Sequence, residues 1–257
     1  MPQDARNGTG VAYRRPAVHT KSVLGAGVRI SRRMLGWDMA TPSVGRLTYS
    51  DRAVARNYEK TRFSSMLGRV VDRLEKRAVV EAVVTQGDAN AALEAPCGTA
   101  RIGLVLASLG AKVVGVDISL EMIRVVKGKL ATSQGMTIEF VRSDIERLPF
   151  RAAAFDAAVC VRLMNLVSPS LRSKMIEELA RVASNCLVVS YLDPSTLKGI
   201  LRRLQGAVCR ETCKLPTTMI SDALLDIRGA GFGNLLVKRL FGRIGESCFV
   251  VARKSRV

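Results

Sequence analysis

The clearest pattern in the chain occupies residues 91–118, which read AALEAPCGTARIGLVLASLGAKVVGVDI. A short apolar run that ends at Glu94 predicts a strand. Residues 101–109 have the composition of a helix, and Gly110 would end it. A β-branched run that ends at Asp117 predicts a second strand. Strand, loop, helix and strand form one βαβ unit, which predicts a parallel sheet covered by helices.

The loop of this unit, residues 95–100, consists mostly of small residues. Gly98 can adopt backbone conformations that other residues avoid, and the start of the helix offers unpaired N–H groups. Glu94 and Asp117 end the two strands, and ligands of open α/β sheets bind at the carboxyl ends of the strands. An acid about 20 residues after such a loop suits the hydroxyl pair of a ribose. The unit therefore predicts a site for a nucleoside-containing cofactor.

Two cofactor classes compete for this loop. Gly98-x-Ala100-x-x-Gly103 can be aligned with the dinucleotide fingerprint G-x-G/A-x-x-G, which favours a nicotinamide cofactor. In the other frame, the loop reads acid-x-x-x-Gly-x-small from Glu94 onward. There the chain resembles motif I of the class I S-adenosylmethionine-dependent methyltransferases, whose usual form is Asp/Glu-x-Gly-x-Gly-x-Gly. Pro96 and Ala100 replace two of those glycines, and the resemblance implies S-adenosylmethionine as the cofactor.

The resemblance covers residues 55–253 and assigns cofactor contacts residue by residue. The implied cofactor-binding residues are Tyr58, Arg62, Glu94, Ala95, Pro96, Gly98, Asp117, Ile118, Met122, Asp144, Ile145 and Cys160. Asp117 would bind the ribose hydroxyls, and Ile118 and Met122 would line the adenine. Asp144 would accept from the adenine amino group, and the N–H of Ile145 would meet a ring nitrogen. An adenine edge needs such an acceptor and donor side by side.

Three of these residues lie outside the βαβ unit and the adenine contacts. Tyr58 and Arg62 stand where helices of the family cover the cofactor, and a hydroxyl and a guanidinium suit the carboxylate of its methionine moiety. The backbone around Cys160 would meet its amino group. Structural roles are the alternative: Tyr58 and Met122 can pack in the core, and Arg62 can be solvated. Asp144 can cap a turn.

The remaining pattern predicts a Rossmann-like, seven-stranded, mostly parallel sheet in three α/β/α layers. Further strands are predicted over residues 136–141, 155–161, 185–192, 235–241 and 247–252. The last two are joined by a short Gly-containing link, which predicts an antiparallel hairpin. Further helices are predicted over residues 64–84, 119–130, 168–183 and 218–230, with Ser119 as one cap.

Residues 1–47 differ from the rest, because their only acids are Asp4 and Asp38. We predict a basic, flexible arm followed by a methyltransferase domain over residues 48–257. Residues 23–37 can form a basic amphipathic helix, and the Arg-rich arm also resembles an organelle transit peptide. No apolar run approaches the ~20 residues of a membrane span. We therefore expect a cytoplasmic protein without an integral membrane segment.

The charge and the cysteine content of the chain limit which other functions we expect. Forty Lys and Arg against 22 Asp and Glu give a net charge of +18, which favours polyanionic partners such as RNA or simply a basic solvated surface. Six cysteines include one close pair, Cys209 and Cys213, and the single histidine, His19, is far away in sequence. We therefore expect neither a zinc site nor a histidine-dependent nucleophile.

The predicted activity is transfer of a methyl group from S-adenosylmethionine to a small-molecule acceptor. Arg162, Met164 and Asn165 follow the fourth strand, where the resemblance implies residues that face the acceptor. Tyr191 and Asp193 are candidates for a general base. They precede residues 198–214, which we interpret as a possible substrate lid. An ordinary surface helix is the alternative for that segment.

Two further functions stay open. The first is an RNA or protein methyltransferase steered by the basic surface. The second is a catalytically silent S-adenosylmethionine-binding protein, which Pro96 and Ala100 suggest. The acceptor cannot be read from sequence, because acceptor pockets are built from variable loops.

Overall fold

The computed structural model describes residues 51–84, 90–130, 138–201 and 218–254. The arm predicted over residues 1–47 lies outside the described residues, and so does most of the predicted lid over residues 198–214. Within the described ranges, no helix is long and apolar enough to cross a membrane.

Seven strands form one sheet. In chain order they are β1 (Ala91–Glu94), β2 (Lys112–Asp117), β3 (Ile138–Arg142), β4 (Phe155–Cys160), β5 (Ala183–Leu192), β6 (Asn234–Arg239) and β7 (Ser247–Arg253). Their order in the sheet is β3-β2-β1-β4-β5-β7-β6. The first five strands pair in parallel, and β7 lies antiparallel between β5 and β6. This arrangement confirms the predicted mostly parallel sheet with an antiparallel C-terminal hairpin.

Six helices are described in full. They are α1 (Arg52–Phe63), α2 (Met66–Val84), α3 (Arg101–Ser108), α4 (Leu120–Leu130), α5 (Pro169–Val182) and α6 (Ile220–Gly229). The side chain of Asp51 caps α1 by accepting the N–H groups of Ala53 and Val54. The predicted cap of α4 is present, since Ser119 Oγ accepts the N–H of Met122 at 3.2 Å. Residues 197–201, after β5, are also helical.

Both faces of the central strands are covered. Leu93 and Ala92 are adjacent on β1 and point to opposite faces, and both are fully buried. Leu93 packs in a cluster with α5 residues such as Ile176, whereas Ala92 packs with Val79 of α2 and Ile102 of α3. Such two-sided cover is the rule for parallel sheets. It leaves the carboxyl edge of the strands as the place where a ligand can reach them.

Candidate cofactor site

The turn after β1 has the backbone shape that its small residues predicted. Gly98 and Ala100 both adopt left-handed conformations, with φ of +51° and +52°. A side chain on Gly98 would meet no atom within 4 Å, so this glycine leaves open space at the carboxyl edge. Ala100 is fully buried and does not line that space. The methyl group that replaces a usual glycine there therefore does not obstruct a ligand.

Two buried carboxylates stand at the ends of β1 and β2. Asp117 accepts the N–H of Gly98 and the N–H of Ser119, each at 2.8 Å. Glu94 Oε2 accepts the N–H of Gly103, also at 2.8 Å. These bonds fix the orientation of both acids. A carboxylate has about four acceptor positions, so each acid keeps lone pairs for the hydroxyl groups of a ligand.

Burial changes the acidity of both groups. It raises the pKa of Glu94 to about 8, against the opposing effects of the Gly103 N–H and the charge of Arg101. Burial also raises the pKa of Asp117, although the N–H groups of Ser119 and Gly98 favour its charged form. A neutral Glu94 beside an acid held by backbone donors is a pair that can donate to a ligand as well as accept from it.

Asp144 and Asp117 lie at the same edge of the sheet. Asp117 pairs with Arg142 in the register of β2 and β3, and Asp144 follows two residues later. Asp144 Oδ1 accepts the N–H of Glu146 at 3.2 Å, which is the turn cap considered from the sequence. Asp144 nevertheless lines the same cavity as Asp117. The capping bond and the cavity position therefore occur together in one residue.

The cavity at this edge is lined by nine of the twelve residues predicted to bind a cofactor. They are Tyr58, Glu94, Pro96, Gly98, Asp117, Ile118, Met122, Asp144 and Ile145. The other three do not line it. Ala95 and Cys160 are fully buried, although Val161, next to Cys160, does line the cavity. The guanidinium of Arg62 lies over the Tyr58 ring, 5.3 Å from its centroid.

A buried ion network adjoins the cavity and was not predicted. Arg101, the first residue of α3, pairs with Asp72 at 2.8 Å and also with Glu75. Arg162, after β4, pairs with the same Glu75 at 2.9 Å. Both guanidinium groups lie over the ring of Phe63, with their central carbons 4.8 and 4.9 Å from its centroid. Both arginines line the cavity, so the network ties the helices before β1 to the cofactor edge.

The sequence contains one indication of this ion network, which is the position of Glu75. Glu75 lies three, four and seven positions before Ala78, Val79 and Ala82, which are all buried. A glutamate on the apolar face of a helix is unusual unless it is paired. Its spacing therefore marked Glu75 as a buried charge, although it did not identify the partners.

Three residues after β4 were expected to face the acceptor, and the structure places them in different environments. Arg162 lines the cavity and adopts a φ of +64°, with its N–H donating to Ser190 Oγ at 2.7 Å. Met164 is fully buried in the core. Asn165 is also buried, and its Oδ1 accepts the N–H of Leu192 at 3.1 Å. Asn165 thus fixes the loop to the end of β5.

The wall of the cavity beyond Arg162 is apolar. It is formed by Val161, Leu163, Leu166, Val167, Leu171 and Met175. These side chains come from the loop after β4 and from the first turns of α5. A surface of this kind binds ligands mainly through removal of apolar area from water.

Tyr191 and Asp193, predicted as candidates for a general base, do not line this cavity. Tyr191, on β5, is 1% exposed and packs in the core, and burial raises the pKa of its hydroxyl. Asp193 is held by Arg239 at 2.8 Å and by the Ser195 hydroxyl at 2.6 Å. Burial raises the pKa of Asp193, but the Ser195 and Arg239 bonds outweigh it and leave the pKa below its usual value. An acid so paired is a weak base.

Comparisons with known proteins agree with this geometry. Residues 92–185 match the family model described as "Methyltransferase domain". The chain is 28% identical over 137 residues to the ubiquinone/menaquinone biosynthesis C-methyltransferase UbiE of Syntrophotalea carbinolica, covering 51% of this chain and 57% of that protein. It is 32% identical over 143 residues to the demethylmenaquinone methyltransferase of Mycolicibacterium gilvum, covering 55% and 58%. The matches thus span little more than half of each relative.

A solved structure shares the fold more widely. The magnesium protoporphyrin IX methyltransferase of Synechocystis, solved with bound SAH, superposes with a TM-score of 0.68 at 20% identity. The superposition covers 84% of this chain and 100% of that one. Residues 92–185, with the acid-ended strands and the small-residue turn, are therefore similar in sequence to a methyltransferase domain, and the described sheet has the fold of that solved methyltransferase.

Proposed function

We propose that the protein transfers the methyl group of S-adenosylmethionine to a small, largely apolar acceptor. The observation that carries this proposal is the continuity of one cavity, which joins Asp117 and Asp144 to the apolar wall that includes Leu166 and Met175. The polar end suits an adenosyl group, and the apolar wall suits an uncharged acceptor. Two relatives whose names describe quinone-pathway methyltransferases support an acceptor of this kind.

The turn after β1 suits an adenosyl group better than a dinucleotide. A pyrophosphate needs free N–H groups at such a turn. Here the N–H of Cys97 donates to Val116, that of Gly98 to Asp117, and that of Ala100 to Cys97. Pro96 has no N–H to offer. Because S-adenosylmethionine carries no phosphate, it does not require these donors, and the two nearby carboxylates do not oppose it electrostatically.

The protein's own task in such a reaction is alignment and exclusion of water. S-adenosylmethionine, when bound, supplies an already activated methyl group. Asp117 and Asp144 would hold its sugar and base, and the apolar wall would hold the acceptor close to the methyl group. Cys97 also lines the cavity, but burial raises the pKa of its thiol, so it remains protonated and is a poor nucleophile.

Labelled methyl transfer tests the proposal directly. Purified full-length protein is incubated with S-adenosylmethionine labelled in the methyl group and with fractionated cell extract. We expect label in the fraction that organic solvent extracts. Label confined to RNA or to protein would contradict the small-molecule acceptor and support the corresponding alternative.

A pair of variants connects that label to the site. Asp117→Asn keeps the size of the side chain but removes its charge, so we expect cofactor affinity to fall about tenfold or more. Asp222→Asn makes the same change on the exposed side of α6 and serves as the control. Equal affinity in the two variants, measured by calorimetry, would remove Asp117 from the site.

A cofactor-binding protein without turnover is the second candidate. The five charged groups that line the cavity all have partners: Arg101 and Arg162 are held by Glu75, and Glu94, Asp117 and Asp144 accept backbone N–H groups. An acceptor that needs a strong general base would therefore find little help here. Tight cofactor binding without label transfer to any fraction would support this candidate.

A further inference from the structure

The outer face of α2 exposes large apolar side chains together. Met66, Leu67 and Val70 are 77%, 63% and 38% exposed. Val70 lies four positions after Met66 and three after Leu67, so its side chain neighbours both of them on the helix surface. Single exposed apolar residues are ordinary, whereas adjacent ones mark an interaction surface.

Basic side chains lie on the same face. Arg69 and Arg73 follow Met66 by three and seven positions, which places them on its side of the helix, and both are exposed. We call these five residues, Met66, Leu67, Arg69, Val70 and Arg73, the outer face of α2. Neither arginine has an ion pair with an acid in the described part of the chain, in contrast to Lys76 and Arg77 of the same helix.

The adjoining helix α1 adds positive charge. Arg52, Arg56 and Lys60 are all exposed on it. The two helices meet closely, because a side chain on Gly68 would come within 2.6 Å of the carbonyl oxygen of Arg62. Asp51 is the exposed acid at the start of α1, where it caps the helix. Cations therefore dominate the exposed charge of this helix pair.

We propose that the outer face of α2 docks on an anionic lipid surface. Met66, Leu67 and Val70 would enter the boundary between headgroups and acyl chains, as the apolar face of an interfacial helix does. Arg69 and Arg73 would contact the lipid phosphates. The contact is peripheral, since none of the described helices can cross a bilayer.

A lipid surface explains this face better than a nucleic acid does. Proteins that bind single-stranded nucleic acids combine cations with aromatic side chains that stack on bases. The aromatic residues of α1 have other contacts: Tyr58 lines the cavity, and the ring of Phe63 packs against the guanidinium groups of Arg101 and Arg162. Exposed aliphatic side chains gain nothing from phosphates, but they gain from burial in lipid.

Docking there would place the cofactor cavity near the membrane, because Tyr58 of α1 lines that cavity. An apolar acceptor dissolved in lipid would then be close to the site. The docking itself is independent of methyl transfer and can be measured without it.

Vesicle sedimentation with the full chain tests the proposal. Vesicles of phosphatidylcholine alone are compared with vesicles that also contain phosphatidylglycerol, at about 50 mM and about 500 mM salt. We expect binding to the anionic vesicles that weakens at high salt. Arg69→Gln with Arg73→Gln should weaken it about fivefold for each charge removed. Met66→Glu with Leu67→Glu should weaken it about tenfold or more.

Matched controls come from other exposed positions. Leu225→Glu with Leu236→Glu changes two leucines that are 65% and 63% exposed elsewhere and removes the same net charge. Arg151→Gln with Arg228→Gln matches the arginine pair. We expect both control pairs to bind vesicles as the unchanged protein does. Equal losses in controls and α2 variants would overturn the proposal, as would the absence of vesicle binding.

Two further outcomes would assign the face to another partner and overturn a lipid site. One outcome is that the protein binds an RNA and that Arg69→Gln with Arg73→Gln weakens this binding, while no α2 variant changes the binding to vesicles. The other is a dimer, seen by light scattering, that Met66→Glu with Leu67→Glu converts to a monomer.

Discussion

Glu75 of α2 and Arg162, 87 residues later in the chain, form an ion pair with 2.9 Å between Nη2 and Oε1. Glu75 is buried and also holds Arg101, so one carboxylate serves two guanidinium groups at the wall of the cofactor cavity. The network joins a helix that precedes the βαβ unit to the carboxyl ends of the strands.

Removing the shared charge should weaken both the fold and the site. Glu75→Gln leaves Arg162 without its acid and Arg101 with Asp72 alone. We expect the free energy of unfolding to fall by about 3 kcal/mol, as for other broken buried pairs. Cofactor affinity should fall as well, because both arginines line the cavity. Urea unfolding and calorimetric titration measure the two effects.

Glu81→Gln is the matched control on the same helix. Glu81 pairs with Arg77 and Lys238, but its side chain is 36% exposed whereas that of Glu75 is buried, and ion pairs that solvent reaches contribute little. Equal losses of stability in the two variants would contradict the special role of Glu75.

A methyl group at Gly98 should affect the ligand more than the fold. Gly98→Ala adds a side chain where φ is +51° and where no protein atom lies within 4 Å. We expect a stability loss of about 1 kcal/mol from the left-handed backbone. Cofactor affinity, measured by calorimetry, should fall roughly tenfold, because glycine permits close approach of a ligand to the backbone.

Gly110→Ala separates these two effects. Gly110 also has a positive φ, +93°, with open space around it, but it ends the helix region away from the cavity lining. We expect comparable strain and unchanged cofactor affinity. A loss of affinity at Gly110 as large as at Gly98 would show that backbone strain alone explains the result.

Stability should decrease as pH rises towards 8, because of Glu94. Its pKa is about 8 in the folded protein and about 4.5 when unfolded, so between these values the folded state retains a proton that the unfolded state has lost. The free energy of unfolding therefore falls across this window, by several kcal/mol at most, and levels off above the folded pKa.

Glu94→Gln should reduce that fall, as measured by urea unfolding at about pH 5 and about pH 8. Glu178 is the control, since its bonds to Arg181 lower its pKa in the folded protein, and its folded state therefore holds no proton across the rest of this window. Glu178→Gln should keep the full pH dependence. An unchanged slope in Glu94→Gln would mean that Glu94 is charged throughout.

Tyr191→Phe should leave the fold as stable as before or slightly more stable. The Tyr191 hydroxyl is buried and has no hydrogen-bond partner among the described residues. Removing such a group avoids a desolvation penalty of about 1 kcal/mol or more. Thermal unfolding measures the change, and methyl transfer should persist because the hydroxyl does not line the cavity. Loss of turnover with an intact fold would restore Tyr191 as a catalytic candidate.

Some elements could not be predicted from their own sequence. Helix α1 buries Ala55 as its one core residue, so it lacks the apolar period that identified α2. The face of the sheet to which Tyr191 points could not be predicted either, because β5 is apolar on both faces. Ser190 binds the N–H of Arg162 at the site, and alternation along the strand turns Tyr191 into the core.

Local sequence was sufficient for the βαβ unit, the seven strands and the acids at their ends. Those features follow from periodicity and from residues close together in the chain, such as the apolar run before Asp117. The partners of each charge needed long-range contacts. Glu75 and Arg162, and likewise Asp193 and Arg239, meet because the sheet brings distant segments to one edge. The partner of a charged residue cannot be predicted from the residue alone, because the strength of an ion pair depends on the distance between the two groups and on their burial in the folded protein.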